Sequence, residues 1–274
     1  MLFNKLKFIM VHHLHDNSNF KAVKGSIHVN KFHEIVSKSK NNTVFTFDDG
    51  YKSQLHLGAK ILEKYNKKGI FFLNTNILEN KINFHELSKF AASLFFKNQK
   101  EFNIFYLEHC KSSKIKKNEI RKYKKKFPFY SEDEIYIRII RDNHYPLYIN
   151  NLKKIFKIMR FKYKFYAKKI FLTKKEVIQL SKYHIIGLHT HSHPYNFDQL
   201  SEKNQTFEIE KNKEILGYIL KKKINLFSYP VGNYNKVTTR LLKKFGIKYA
   251  FINLNLKLKN NFMIPRININ KLKC

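Results

Sequence analysis

The chain has 274 residues, and its 43% hydrophobic and 15% aromatic residues with only 8 Gly and 5 Pro exclude a disordered, collagenous or low-complexity protein. Two cysteines, Cys110 and Cys274, exclude a disulfide framework and a cysteine-rich zinc site, so a metal would need His and carboxylate ligands. The net charge of +34 suggests a polyanionic partner, but only six of the 54 basic residues are arginine, so compositional bias is favoured over a nucleic-acid site.

The first part of the chain reads as strand, strand, helix, strand. Short apolar runs at residues 7–11 and 43–47 predict two buried strands, each followed by polar residues. Apolar residues at helical spacing over 57–65 predict a helix that stops before Gly69. The apolar run at 70–73 predicts a third strand.

The pattern changes from about residue 84 to residue 170. Helical spacing over 87–95 and 152–159 is separated by lysine-dense stretches. We expect a helical, lysine-rich insertion with a solvated basic face.

Strands and helices alternate again after the insertion. Strands are predicted at 185–188, 225–229 and 249–252, separated by helices, and a last extended run covers 262–269. Such alternation predicts a parallel α/β sheet, either closed as a barrel or open and doubly wound. In both architectures the chemistry gathers at the carboxyl ends of the strands.

Polar clusters stand at three of these strand ends: Asp48-Asp49, residues 189–193 and residues 228–232. Taken alone, Asp-Asp-Gly is more often a turn in which Gly50 supplies a positive φ. For the histidine cluster at 189–193, the alternative to a functional site is an ordinary solvent-exposed loop.

His189 and His193, together with one aspartate, would form a three-ligand metal centre with an open position, as in hydrolytic zinc enzymes. A divalent cation activates water and polarises a carbonyl, and a nearby carboxylate then accepts the proton. One aspartate as ligand and its neighbour as base would explain why two stand side by side.

Two motifs resemble those of the polysaccharide deacetylases (NodB-like, carbohydrate esterase family 4). Residues 46–51 read T-F-D-D-G-Y, and residues 189–194 read H-T-H-S-H-P. The resemblance covers most of the chain outside the insertion. It implies a distorted (β/α) barrel forming a single catalytic domain over 1–274, and metal-dependent hydrolysis of an N-acetyl group on a sugar.

The same resemblance implies roles for individual residues. Asp48 would be the catalytic base. The ligands of a divalent metal, with zinc expected, would be Asp49, His189 and His193. His191 occupies a variable position of the motif and is interpreted as a loop residue rather than a ligand.

Residues 227–235 resemble a third motif in its F-A-Y-P-Y-G variant. By that resemblance the backbone N–H of Val231 would help to hold the oxyanion. The arginine that usually tethers the base is replaced by Ser228, and Arg266 in the last extended run is a candidate substitute that could pair with Asp48. A surface arginine is the alternative for Arg266.

Two further motifs of the family are missing. No Asp follows Asp198, the chain has no Trp, and no His follows His193, so neither the Asp- and Trp-containing motif nor the Leu-x-His motif can exist. His13 resembles a histidine near the start of many members and is a candidate acid or substrate contact, with a plain loop histidine as the alternative.

The sequence therefore predicts a hydrolase that removes N-acetyl groups from an amino sugar of a glycan or glycan precursor. A catalytically weak carbohydrate- or polyanion-binding module on the same barrel is the alternative that the missing motifs keep open. No apolar run is long enough for a membrane span or a signal-peptide core, so a cytoplasmic location is expected. The basic insertion could make peripheral contact with an anionic membrane or glycan.

Overall fold

The structure is a computed structural model that describes residues 5–110, 115–253, 258 and 260–272. Its strands are β1 Lys7–Val11, β2 Leu14–His15, β3 Ile27–His28, β4 Thr43–Asp48, β5 Ile70–Leu73, β6 Ile185–Leu188, β7 Leu226–Ser228, β8 Tyr249–Ile252, β9 Ile264–Pro265 and β10 Ile267–Asn268. Its α-helices are α1 Val29–Ser37, α2 Lys60–Lys64, α3 Phe84–Phe95, α4 Gln99–His109, α5 Lys117–Lys126, α6 Glu132–Asn143, α7 Tyr145–Ile158, α8 Tyr163–Ile170, α9 Lys174–Leu180, α10 Glu202–Leu220 and α11 Lys236–Lys244. A π-helical segment, Gln54–Ala59, runs into α2.

Eight parallel strands form a nearly closed barrel in the order β10-β1-β4-β5-β6-β7-β8-β9. β9 and β10 flank Arg266 in one extended segment, which pairs with β8 on one side and with β1 on the other. This last segment therefore brings the two ends of the sheet together. The predicted distorted (β/α) barrel is confirmed.

Side chains alternate between the inside of the barrel and its helical coat. Phe251 of β8 contacts both Phe8 of β1 and Phe72 of β5, with ring centroids 5.1 Å apart in each pair. Strands that are not neighbours in the sheet can meet in this way only across the barrel interior. On β4, Phe47 points outward instead and packs against Phe32 of α1.

Gly187 of β6 is required by this interior packing. A Cβ at this position would lie 2.4 Å from the ring of Phe72. A larger residue would displace the ring, so β6 passes close to the interior phenylalanines only because it has no side chain here.

Capping side chains fix the starts of α9 and α10. Thr173 and Glu176 form a reciprocal capping box at the start of α9. The Ser201 side chain accepts the N–H of Asn204 at the start of α10. These caps fix where the two helices leave the preceding loops.

The chain divides into two compact units, one made of Met1–Ile82 with Lys168–Cys274 and the other of Asn83–Ala167. The first contains the barrel. The second is helical, with a core that includes Leu87, Ile139 and Leu152, while α5 buries none of its residues. Within the described part of the chain, no helix has the length and apolar character needed to cross a membrane.

Candidate active site

The polar clusters meet at one end of the barrel because parallel strands end on the same rim. Asp48 is the last residue of β4, His189 follows β6, and Ser228 ends β7. Arg266 lies between β9 and β10. The structure brings these side chains together although up to 218 positions separate them in sequence.

Asp49, His189 and His193 form a buried cluster of potential metal ligands. One donor atom from each lies within 4.8 Å of the other two. The Oδ1 atom of Asp49 is 3.6 Å from the Nε2 atom of each histidine. Among the described residues, these three form the group of His, Cys, Asp and Glu side chains whose donor atoms are close enough together to hold a metal ion.

The environment of His189 suits a metal ligand. Its Nδ1 lies 2.8 Å from the carbonyl oxygen of Ser228, a contact that requires the proton on Nδ1. The Nε2 lone pair then points toward Asp49. Burial lowers the pKa of His189 despite the opposing effect of Asp48, so the ring is neutral near pH 7.

This donor set fits a divalent cation such as zinc. Two imidazole nitrogens and one carboxylate oxygen are the ligands of many catalytic zinc sites. In such sites the ring nitrogen of a ligand histidine that does not bind the metal often donates a hydrogen bond to a backbone carbonyl. Asp49, His189 and His193 are the residues that would bind the ion.

Strained backbone surrounds the cluster. Asp49 has φ 76°, Thr190 has φ 63° and His193 has φ 57°, all in the left-handed region that disfavours side chains. The Thr190 hydroxyl accepts the N–H of His193 at 3.1 Å, which closes the loop between the two histidines. Strain of this kind persists where the surrounding structure holds it, and it concentrates at functional sites.

Asp48 is tied to Arg266 by two hydrogen bonds. Nη1 and Nη2 of Arg266 donate to Oδ1 and Oδ2 of Asp48, each at 2.7 Å. Nη2 also donates to the Ser228 hydroxyl at 2.8 Å, and Nη1 donates to the Thr46 hydroxyl at 3.3 Å. Arg266 is only 1% exposed, so the structure places it in the barrel interior and not on the surface.

The charge state of Asp48 follows from this pairing. Burial by itself would raise the pKa of the carboxyl group, but the Arg266 guanidinium holds it well below its usual range. Asp48 is therefore ionised at neutral pH and fixed in orientation.

His13 is not brought to this cluster. Its Nε2 contacts the Lys21 carbonyl oxygen at 3.0 Å, and its Nδ1 contacts the Ser53 hydroxyl at 3.0 Å. Its neighbour His12 is half-buried. Side chains alternate between the two faces of a strand. When the alternation of β1 is continued, His12 falls on the inward-facing side and His13 on the outward-facing side, and this alternation is the sequence signal that distinguishes them.

His191 faces away from Asp49, in agreement with its interpretation as a loop residue. Its Nδ1 lies 3.0 Å from the Thr75 hydroxyl, and its Nε2 lies 3.7 Å from the Glu79 carboxylate. Both ring nitrogens thus face the segment that follows β5.

Val231 lies in the turn after β7 and is 38% exposed. Its φ of 57° is unusual for a β-branched residue. The Gly232 N–H donates to the Tyr229 carbonyl at 2.9 Å, and the Asn233 amide group donates to the Tyr195 carbonyl at 2.8 Å. The second of these bonds connects the turn to the segment that follows His193.

The sequence model of the polysaccharide deacetylase family matches residues 133–250. This range includes β6, β7, the first two residues of β8 and both histidines of the cluster, but it begins after Asp48 and Asp49. None of the curated protein sequences matches this chain.

Solved structures with a similar fold include the Streptococcus pyogenes deacetylase PplD in complex with acetate, at 15% identity and a TM-score of 0.55 over 97% of this chain and 92% of that one. IcaB from Ammonifex degensii is 11% identical, with a TM-score of 0.54 over 98% of this chain and 93% of that one. The de-N-acetylase from Aggregatibacter actinomycetemcomitans is 11% identical, with a TM-score of 0.55 over 98% of this chain and 97% of that one. The family match over residues 133–250 confirms the resemblance to the polysaccharide deacetylases that the motifs predicted, and the shared barrel confirms the fold. Both are consistent with the predicted hydrolase.

Proposed function

We propose that this protein is a metal-dependent hydrolase that removes N-acetyl groups from an amino sugar of a glycan or glycan precursor. The observation that supports this most strongly is the placement of an ionised carboxylate, Asp48, beside the cluster of Asp49, His189 and His193. The Nε2 of His189 is 3.6 Å from Asp49 and 4.0 Å from Asp48. One aspartate can thus act as ligand while its neighbour accepts a proton.

The three clustered residues would hold the cation, with zinc as the best match to their donor atoms. When bound, a divalent cation polarises the acetyl carbonyl and lowers the pKa of water. The remaining chemistry belongs to the side chains of this chain.

Asp48 would accept the proton of the water that attacks the acetyl carbon. Arg266 keeps Asp48 ionised before the reaction and fixes its two oxygens. Because the same guanidinium disfavours the protonated carboxyl group, the accepted proton is readily passed on. The C–N bond then breaks, the amine gains a proton, and acetate leaves.

His12 is our candidate for protonating the leaving amine, in place of His13. It follows β1 on the side that continues the inward-facing series containing Phe8, and it is only partly buried. The backbone N–H of Val231 is our candidate for stabilising the oxyanion, since a fixed amide dipole there is independent of the side chain.

Acetate release from N-acetylglucosamine oligomers tests the proposed function. We expect release by the zinc-loaded protein, loss of at least about 10²-fold in rate with a chelator, and recovery when zinc is restored. A binding module would retain the oligomers without releasing acetate. An unchanged rate of acetate release in the presence of the chelator would contradict the metal-dependent reaction.

We also propose that α5 makes peripheral contact with an anionic membrane or glycan, which would hold a cytoplasmic enzyme at the inner leaflet. This helix exposes six basic side chains: Lys117, Arg121, Lys122, Lys124, Lys125 and Lys126. The turn that follows it presents Phe129, which is 99% exposed. Lysine charge beside an exposed aromatic ring suits the surface of an anionic bilayer.

Co-sedimentation with vesicles of phosphatidylserine and phosphatidylcholine tests this contact. We expect binding to the anionic vesicles at low salt, and its loss when Lys122, Lys125 and Lys126 are all replaced by Glu. Equal binding by the wild type and this triple variant would contradict a role for α5.

A further inference from the structure

Two of the buried polar side chains of helix α10, Glu208 and Asn212, have no part in the proposed reaction. They lie one turn apart on the face that also buries Ile209 and Leu216. Burying a carboxylate or an amide costs free energy unless its hydrogen bonds are satisfied, so such a face is ordinarily apolar. The partners of these two side chains therefore indicate their role.

Asn212 binds the backbone at the first histidine of the cluster. Its Oδ1 accepts the N–H of His189 at 2.9 Å. Its amide group donates to the Leu73 carbonyl at 3.0 Å and to the Thr75 hydroxyl at 3.2 Å. One side chain thus links the start of the histidine loop to the end of β5.

Glu208 binds the residues just before the second histidine of the cluster. Its Oε2 accepts the N–H of Ser192 at 2.7 Å, and its Oε1 accepts the Ser192 hydroxyl. The backbone carbonyl of Glu208 also accepts the N–H of His191 at 3.0 Å. With Asn212, α10 therefore accepts three backbone N–H groups from the five residues 189–193.

The loop needs such support because its backbone is strained. Thr190 and His193 both have left-handed φ values and neither is glycine. Conformations of this kind cost free energy and persist only where neighbouring groups fix them. A rigid helix that binds the loop at both ends supplies that constraint.

We propose that Glu208 and Asn212 are positioning residues that set the separation of His189 and His193 for a divalent cation. This inference rests on the proposed function. A carboxylate suits position 208 because both of its oxygens are used as acceptors, whereas glutamine offers one acceptor oxygen and an amide group that only donates.

Cobalt binding to the full chain tests the inference. The Co²⁺ dissociation constant is measured by competition with a chelator, and the visible absorption of the bound Co²⁺ reports ligand geometry. We expect Glu208→Gln to weaken binding by about 10-fold to 100-fold and to change the Co²⁺ spectrum. Glu210→Gln, on the exposed face of the same helix, is the matched control and should match the wild type in both respects.

Ser192→Ala is a second variant that removes only the hydroxyl donor to Glu208. Glu208 keeps the N–H of Ser192 as a donor, so we expect a smaller change in the same direction. Thermal unfolding of the metal-free variants shows whether each one folds. Folded Glu208→Gln and Ser192→Ala proteins with wild-type affinity and spectrum would overturn the positioning role alone, while a wild type that binds no Co²⁺ would overturn the proposed function and this inference together.

Discussion

Asp48→Asn is expected to reduce the rate of acetate release by about 10²-fold to 10⁴-fold, the usual contribution of a positioned general base. Asparagine has nearly the same shape as aspartate, so the substitution removes the proton acceptor without changing the size of the side chain. Steady-state kinetics on N-acetylglucosamine oligomers measure the effect. Asp133→Asn, in the first turn of α6, is the control, and its activity should be unchanged.

The same substitution should also destabilise the protein. Arg266 is 1% exposed and both its terminal nitrogens donate to Asp48, so Asp48→Asn leaves a buried cation without its counter-charge. Breaking a buried pair in this way costs about 3–5 kcal/mol in the free energy of unfolding. Denaturant unfolding of Asp48→Asn, Arg266→Met and the double variant measures that cost.

The double variant should be more stable than the sum of the two single effects predicts, because it removes both charges at once. Additive losses would show that the two side chains do not interact. Full activity of Asp48→Asn would show that another group accepts the proton.

The second large effect is expected at the metal ligands. His189→Gln should abolish zinc retention after dialysis and lower the rate of acetate release at least as far as a chelator does, because one of three ligands is lost. His191→Gln is the matched control on the same loop, since the His191 nitrogens face Thr75 and Glu79. Zinc content by elemental analysis and acetate release are measured on both variants.

Zinc content that falls equally in the two variants would contradict this assignment, because His191 lies outside the proposed ligand set. Retention of one zinc ion per chain by His189→Gln would contradict it as well.

The barrel and the cluster were predictable from short local patterns. Apolar runs ending in polar residues mark the strand ends, and a parallel sheet brings those ends to one rim, which is why one aspartate could be grouped with His189 and His193. The resemblance to the deacetylases then implied that this aspartate is Asp49. Arg266 could be proposed as the partner of Asp48 because the last extended run could return beside the first strand, but the sequence left a surface arginine as the alternative.

The choice between His12 and His13 needed the structure. The two residues are adjacent, and which one faces Asp48 depends on the phase of β1 in the closed barrel. A one-residue change of phase exchanges the inward and outward sides. Phe8 and His12 belong to the same, inward-facing side of the first strand. That side is identified by the contact of Phe8 with Phe251, which lies on a strand that is not adjacent to β1 in the sheet.

Glu208 and Asn212 were not predicted because they belong to no motif. On a mostly polar helix they resemble ordinary surface residues, and only burial and hydrogen bonds to residues 189–193 distinguish them. The helices of the 83–167 unit were predicted only in outline, since dense lysine obscures the apolar spacing on which such predictions depend.

The most direct test of the metal centre is anomalous diffraction from crystals of the zinc-loaded protein. The account predicts one strong zinc peak per chain, about 2.0–2.2 Å from a carboxylate oxygen of Asp49 and from the Nε2 atoms of His189 and His193. A zinc peak that lacks any one of these three ligands, or crystals of the zinc-loaded protein with no peak at this end of the barrel, would contradict it.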